Sequence, residues 1–412
     1  MERILHGTCV DLSSEGKGVI KVGKEIAFID GLFIGEEADV IINYSRAGVS
    51  FGKVKKLYSI SKERIEPLCK VCTSCGGCQF QQLAYSAQLM YKTNRVKESL
   101  KRIAHLDVEV KPCIGMDNPY NYRNKIQVPL GLDKKKNIIS GFYKERSHEI
   151  IAIDECFIED KRAHPIIKSI KLIMKQNRIE PYNEDTREGV IRHVLIRTSH
   201  TTPDLMVVLV VNRANFEGQR NLIKAITKAN PEITTIVENV NTRQTNVILG
   251  EKNYILFGKG YIEDTLLGVT FKISASSFYQ VNPIQTEVLY KEAIKAAKLT
   301  KDDVLLDAYS GVGTIGLIMA KYVKEVLSVE INQAAVKDGI NNARQNKINN
   351  VTFICDDASK YINNLDSKLD IVIMDPPRNG SDDVFLSSLL NKKPNRIVYI
   401  SCNPETLARD LM

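Results

Sequence analysis

The sequence predicts three successive folding units: a small β-barrel, an α+β middle domain and a doubly wound parallel α/β sheet. Three observations carry this. Residues 1 to about 57 hold short β-rich runs cut by glycine turns. From about Tyr120 to Phe271 β-rich and helical stretches are mixed, and beyond Gln280 strands and helices alternate regularly. At 412 residues the chain is too long for one ordinary domain, and its 43% hydrophobic content suffices for two or three cores.

In the first unit the β-rich runs are Val19-Ile20-Lys21-Val22, Ile26-Ala27-Phe28-Ile29 and Val40-Ile41-Ile42. Turns at Ser14-Glu15-Gly16, Gly23-Lys24 and Asp30-Gly31 separate them. The charged stretch Ser61 to Pro67 reads as a linker. Leu83 to Ile103 places Leu89, Val96, Leu100 and Ile103 on a helical pattern with no interior Gly or Pro. In the middle unit, Ile191 to Arg197 and Leu205 to Asn212 read as strands and Ala163 to Gln176 as a helix. The last unit opens with a helix, Thr286 to Lys298. Strands follow at Val304 to Asp307, Glu325 to Ile331, Val351 to Cys355, Ile371 to Asp375 and Arg396 to Cys402.

The net charge of +8 suits a polyanionic partner without requiring one. No run approaches the roughly 18 apolar residues of a membrane span, and the N-terminus lacks a long apolar stretch, so a cytoplasmic protein is expected. Four of the nine cysteines fall between Cys69 and Cys78, which argues against a secreted disulfide framework and for a metal or cluster site. Cys69, Cys72, Cys75 and Cys78 recur every third residue, with Gly76-Gly77 freeing the loop to wrap an inorganic centre. The spacing leaves zinc and iron–sulfur both open, since the last gap departs from the ferredoxin run and lacks its proline.

Val304 to Leu317 reads as strand, glycine turn and helix, and Gly311, Gly313 and Gly316 match Gly-x-Gly-x-x-Gly. Such a turn suits S-adenosylmethionine (SAM), a dinucleotide or plain packing. Glu330 ends the next strand, where a carboxylate takes ribose hydroxyls. Asp375-Pro376-Pro377-Arg378 ends the fourth strand, a position where open α/β sheets bind ligands. Arg378 stands where amino-group methyltransferases carry a base-stacking aromatic, which disfavours an exocyclic-amine target.

Uracil C5 is too weak a nucleophile to attack a sulfonium directly. An enzyme must first add a nucleophile at C6 to form an enolate at C5, and a thiolate suits that role. Cys402, in Ser401-Cys402-Asn403-Pro404, lies at the end of an apolar strand beside the Asp375 strand. Free cysteines on strands are commonly buried and structural, but Pro404 ends this strand and exposes its tip. The site must also favour a thiolate, and the helix beginning near Glu405 offers its positive end.

These pieces, with Cys75-Gly76-Gly77-Cys78 followed by Gln82, Tyr85 and Gln88, Tyr122-Arg123-Asn124-Lys125, and Ser277-Phe278-Tyr279-Gln280-Val281-Asn282, resemble the RNA uracil-5-methyltransferase family. The likeness is to the bacterial 23S rRNA branch, which carries a TRAM domain and an iron–sulfur cluster. It implies an OB-like TRAM β-barrel over 1–58 that binds RNA. A central α+β iron–sulfur domain would follow over 59–275, then a Rossmann-like SAM-dependent methyltransferase domain over 276–412. The resemblance implies that Cys69, Cys75, Cys78 and Cys156 hold a [4Fe-4S] cluster, leaving Cys72 a bystander. It further implies that Gln280, Tyr309, Glu330 and Asp375 contact SAM and that Cys402 adds to C6 of the target uracil. Lys53, Lys55 and Lys56 fit an RNA-holding barrel or, equally, a solvated face. The implied substrate is a single-stranded 23S rRNA loop whose uridine is flipped out, with no membrane and no obligate protein partner.

The family continues past Ser-Cys-Asn-Pro with a helix and two strands bearing a glutamate that removes the C5 proton, whereas this sequence stops at Met412. A truncated chain is therefore expected, with methyl transfer stalling as an RNA adduct on Cys402. Competing expectations are a tRNA uracil-5-methyltransferase, an RNA-binding or iron–sulfur protein without efficient turnover, and a redox protein. The tRNA reading is disfavoured on the ground that the tRNA branch lacks both cluster and barrel.

Overall fold

The computed structural model describes residues 3–144 and 147–412. The chain divides into two compact units. The first comprises Met1–Glu98, Glu109–Pro119 and Gly141–Phe157, and the second Ser99–Val108, Tyr120–Ser140 and Ile158–Met412.

The first unit begins with β1 (Arg3–Leu12), β2 (Gly18–Val22), β3 (Glu25–Asp30), β4 (Glu37–Arg46) and β5 (Val49–Leu57), closed into a barrel in the order β1-β2-β3-β5-β4. Alternate residues point inward, and Cys9, Ile20, Ala27, Ile29, Leu32, Ala38 and Val40 fill the interior. Gly52 lets β5 pass close to β4, since a Cβ there would lie 2.3 Å from the Ile41 carbonyl. Closure leaves no unpaired strand edge.

Residues 61–67 differ from the linker expected. Arg64 forks onto Glu36, with Nε–Oε1 2.6 Å and Nη2–Oε2 2.7 Å, and donates to the Gly31 carbonyl. Glu36 is fully buried and also accepts the Phe33 amide at 2.9 Å. A buried carboxylate demands such partners, which converts a charged linker into a clamp. The same unit holds α1 (Cys72–Cys75), ended by Gly76 at φ +69°, and the start of α2 (Tyr85–Arg102). Leu12, Phe33, Leu83 and Ala87 pack together, joining barrel to cysteine segment, and the Tyr91 hydroxyl donates to the Ser13 carbonyl.

The second unit is built on two sheets. The strands are β6 (Lys125–Leu132), β7 (Ile138–Tyr143), β8 (Ile150–Ala152), β9 (Ile191–Thr198), β10 (Leu205–Val211), β11 (Thr235–Val240) and β12 (Lys252–Gly258), in the order β12-β11-β10-β9-β6-β7-β8. The end of β7 and its partner β8 fall in the first unit. Every residue of β9 and β10 is buried, so both faces are covered. On one face Val194, Ile196, Val207 and Leu209 meet α3 (Ala163–Gln176) and α4 (Gln219–Ala229). Ile166, Ile167, Ile170, Ile173 and Met174 form the buried stripe of α3, each contributing about 1.5–3 kcal/mol of burial. Leu195, Met206, Val208 and Val210 face the opposite way, onto the hairpin β13 (Tyr261–Leu266) and β14 (Val269–Ser274) and the helix α5 (Pro283–Ala297).

The second sheet is parallel throughout. It comprises β15 (Val304–Ala308), β16 (Glu325–Glu330), β17 (Val351–Cys355), β18 (Ile371–Met374) and β19 (Arg396–Tyr399), in the order β17-β16-β15-β18-β19. Between them run α6 (Thr314–Met319), α7 (Gln333–Gln345), α8 (Ala358–Asn364) and α9 (Asp383–Lys392), and α10 (Pro404–Asp410) follows β19. The strands lie where the sequence places them. Leu305, Val326, Ile371 and Ile373 share a core with α5 and α6, while Leu306, Leu327, Val372 and Met374 pack on α8 and α9. Among the described residues no helix is long and apolar enough to cross a membrane.

Burial raises the Glu36 pKa, but Arg64 and the Phe33 and Ser61 amides more than offset it and hold the carboxyl below its usual value. The pair's contribution is therefore present at neutral pH and lost as pH falls through the folded-state value. Arg64→Ala should cost roughly 3 kcal/mol, because it strands a buried carboxylate. Urea unfolding and protease cleavage within 61–67 measure this, and a variant as resistant as wild type contradicts the clamp.

Candidate active site

Strand β18 pairs with β15, on the side opposite β16, so the order reverses between β15 and β18. At such a switch point neighbouring connections leave in opposite directions and open a crevice beyond the strand ends. Tyr309 follows β15, Glu330 closes β16, Asp375 follows β18 and Cys402 comes three residues after β19. The Ile400 amide donates to the Met374 carbonyl at 2.9 Å, so Asp375 and Ser401 leave the sheet side by side.

Beneath the crevice lies Asp307, almost wholly buried. Its Oδ2 accepts the Gly316 amide at 2.8 Å and the Ser328 hydroxyl at 3.4 Å. A Cβ at Gly316 would sit 2.7 Å from both of those oxygens, which is why the helix can approach only with glycine there. Burial pushes the Asp307 carboxyl up to about 7. At the turn itself Gly313 has φ +76°, and a Cβ there would strike the Phe353 ring at 2.6 Å. The Gly311 amide donates to Glu330 Oε2 at 2.9 Å, and the Asn332 amide to Oε1 at 2.8 Å. Tyr309 has φ +62°, a strained conformation for a bulky residue. Its hydroxyl meets Ser381 Oγ at 2.7 Å and its ring stands edge-on to Phe385.

Gln280 lies between β14 and α5, where the Asn124 side chain donates to its carbonyl at 3.1 Å. Its side chain hydrogen-bonds the buried Tyr290 hydroxyl, whose pKa is raised by burial and then by the charges of Asp375 and Asp307. Tyr290 thus connects Gln280 with both acids, and the sequence reading missed it. Its signal was present: Thr286, Tyr290, Ala293 and Ala297 form the buried stripe of α5, and only the tyrosine and threonine on that stripe are polar. Burial lifts Asp375 to about 6.

Cys402 is exposed, in contrast to a structural strand cysteine. Its neighbours lock the turn: Ser401 Oγ donates to the Asn403 carbonyl at 2.9 Å and accepts the Asn403 amide at 3.1 Å. Asn403 then caps α10 by accepting the Glu405 amide. The helix is laced to the Asp-Pro-Pro-Arg loop by Thr406 to the Arg378 carbonyl and by Arg409 to the Asn379 carbonyl. Asp410, with no exposed side-chain surface, accepts the Tyr399 hydroxyl at 2.6 Å and the Ser381 amide at 2.8 Å. Through Ser381 this network reaches Tyr309. None of Asp410, Ser381 and Tyr399 was marked by the sequence.

The cysteines Cys69, Cys72, Cys75, Cys78 and Cys156 all belong to the first unit, and none is joined in a disulfide. Cys69 and Cys72 are buried, and the others are half-buried. Gln81 donates to Cys78 Sγ at 3.3 Å. Among the described residues no three of these sulfurs lie within 4.8 Å of one another. Four thiolates about 2.3 Å from one zinc ion would be closer than that.

The model of the tRNA (uracil-5-)-methyltransferase family matches residues 84–412. The chain belongs to this family. An uncharacterized RNA methyltransferase of Halalkalibacterium halodurans is 42% identical over 99% of this chain and 90% of its own length. One from Listeria innocua is 42% identical over 98% and 89%. Among solved structures, the Pyrococcus abyssi tRNA (uracil-54, C5)-methyltransferase in complex with S-adenosyl-L-homocysteine is similar with a TM-score of 0.77 and 27% identity. The match covers 99% of this chain and 93% of that one. Because it extends over the N-terminal barrel, a barrel does not separate rRNA from tRNA enzymes, and the barrel half of the ground for disfavouring tRNA falls.

Family membership makes the chain a SAM-dependent RNA methyltransferase, and the crevice suits that donor. Gly311 leaves open space at its Cα, and the buried Asp307 and half-buried Asp375 are both acids whose negative charge would suit a cation. Both acids are held above their usual range, so a bound sulfonium and ammonium should pull them down and drive protons off. SAM binding should therefore release protons near pH 6–7 and tighten as pH rises from 6 to 8. Calorimetry in buffers of different ionisation enthalpy reads the release, and identical heats in all buffers would argue against it. Separately, Asp410→Ala removes a buried charged acceptor and should cost about 1.5–3 kcal/mol. It should also speed thiol-reagent modification of Cys402 by loosening α10, and an unchanged rate would show that the network does not hold the turn.

Proposed function

We propose that this chain converts uridine to 5-methyluridine in RNA, with 23S rRNA as substrate and Cys402 as covalent nucleophile. The observation that carries this is the exposed Cys402 thiol on a locked turn whose strand runs beside that of Asp375. In the reading, Gln280, Tyr309, Glu330 and Asp375 hold SAM, which when bound supplies an electrophilic methyl carbon. Cys402 Sγ bonds to uracil C6, and the C5–C6 π pair moves into an enolate that makes C5 nucleophilic. C5 takes the methyl carbon from SAM as the S–CH3 bond breaks and its electron pair stays on sulfur, so S-adenosylhomocysteine leaves; elimination then needs a base to take the C5 proton. The C5–H electron pair restores the C5–C6 double bond as the Sγ–C6 bond breaks and the thiolate leaves. Tyr290 keeps Gln280 in place, and Asp410 keeps the nucleophile's helix against the Asp375 loop.

The resemblance of the Cys69, Cys75, Cys78 and Cys156 pattern to the family's cluster ligands, all four in one unit, supports a [4Fe-4S] cluster there. Their separation speaks against a single zinc ion, and the left-handed Gly76 ends the one-turn helix among them. Iron and sulfide content with a broad visible absorbance tests it, with Cys72→Ser retaining and Cys75→Ser losing the signal.

A second reading is a tRNA substrate, favoured by the match to the archaeal tRNA enzyme over nearly the whole chain. Purified protein incubated with labelled SAM and either 23S rRNA or tRNA decides between them. The proposal expects label as 5-methyluridine in 23S rRNA, lost by at least 10³-fold, in order of magnitude, with Cys402→Ala. Label confined to tRNA selects the second reading, and equal labelling by Cys402→Ala removes the nucleophile from the mechanism.

A further inference from the structure

Three cations in the second unit stand together, and among the described residues none of them is ion-paired to a carboxylate. Lys125, at the start of β6, lies directly opposite Arg197 of β9 in an antiparallel pair. Like charges opposed in this way repel. Arg123 adds a third, its Nε donating to the Lys125 carbonyl at 3.1 Å. Arg197 is 3% exposed and reaches the Ser277 carbonyl at 2.5 Å, yet its buried Nε–H has no partner. The half-buried Lys125 ammonium has neither a hydrogen bond nor an ion pair among the described residues. Burial, and then the charges of Arg197 and Arg123, lower its pKa to about 8. Folding alone gains nothing from this arrangement, so a bound anion must supply the compensation.

The location identifies the anion. Arg197 grips the segment 275–277, which continues through Phe278, 73% exposed, to Gln280. Asn124, between Arg123 and Lys125, donates its amide to the Val281 carbonyl and its side chain to that of Gln280. The cations therefore adjoin the loop that carries the donor-site glutamine. SAM is net positive, with a sulfonium and an ammonium against one carboxylate, and three uncompensated cations repel it. A phosphodiester is net negative and matches them.

We infer that Lys125, flanked by Arg123 and Arg197, binds a backbone phosphate of the RNA strand that enters the crevice past Phe278. This rests on the RNA-methyltransferase reading above and adds the residue that holds the strand. Phosphate contacts are independent of sequence, so a short uridine-rich RNA oligonucleotide serves as probe. Lys125→Met should make the slope of log affinity against log salt shallower by about 0.7, the increment for one single-strand phosphate contact. Lys125→Arg should retain the wild-type slope. The affinity for SAM, measured by equilibrium dialysis, should stay within about twofold, because uniform phosphate contacts act on the RNA alone. Lys125→Met should also unfold no earlier than wild type, since it removes an unpaired buried charge. Weaker SAM binding with an unchanged salt slope would give the cation to the donor's carboxylate and overturn the proposal. An unchanged slope with unchanged SAM affinity overturns it too. Absence of methyl transfer by wild type, with the slope change intact, defeats the enzymatic reading but not the phosphate site.

Discussion

The pairing of β18 with β15, away from β17, is the constraint on which the functional unit depends. Parallel strands need crossover helices, and reversing the order makes successive crossovers diverge, so the strand ends between them are the one place the sheet does not cover itself. Tyr309 and Asp375 flank that reversal, with Glu330 and Cys402 one strand further out on either side. Four side chains separated by 93 residues of sequence, from 309 to 402, thereby share one edge.

The edge is assembled at an electrostatic cost. Asp307 and Asp375 are both held well above the ordinary carboxylate range by burial, and the charges of both act on the buried Tyr290 hydroxyl. Tyr309 carries backbone strain. Such costs gather where the structure serves a ligand before it serves stability, and in the proposed reading a cationic methyl donor would relieve the acids. At Lys125, Arg123 and Arg197 the sign is reversed: among the described residues no carboxylate pairs with them, and the inferred phosphate would relieve them. The two clusters, acidic and basic, meet at the segment that contains Gln280.

The first unit obeys a different rule. A small barrel has little core, and Cys9, Ile20, Ala27, Ile29, Leu32, Ala38 and Val40 are modest side chains. The Glu36–Arg64 fork and the Phe33–Leu83 contact extend that core into the cysteine segment, so the cysteines are presented from a packed base. A stretch that reads as a charged linker is charged because one of its cations is needed inside.

Much of this was legible from the chain alone, because periodicity is local. Alternation and apolar runs gave the barrel strands, β9, the all-apolar β10 and the five parallel strands, and the Gly-x-Gly-x-x-Gly turn marked the end of β15. The exposure of Cys402 was legible because Pro404, two residues on, ends the strand and leaves its tip uncovered. Tertiary structure alone decided the rest, since hydrogen bonds and charges act across space without leaving a sequence period. It brought the buried Tyr290 hydroxyl to the Gln280 side chain and buried Asp410 against Tyr399 and Ser381. It turned Arg64 inward, and it opposed Lys125 to Arg197 across two strands joined by 58 intervening residues.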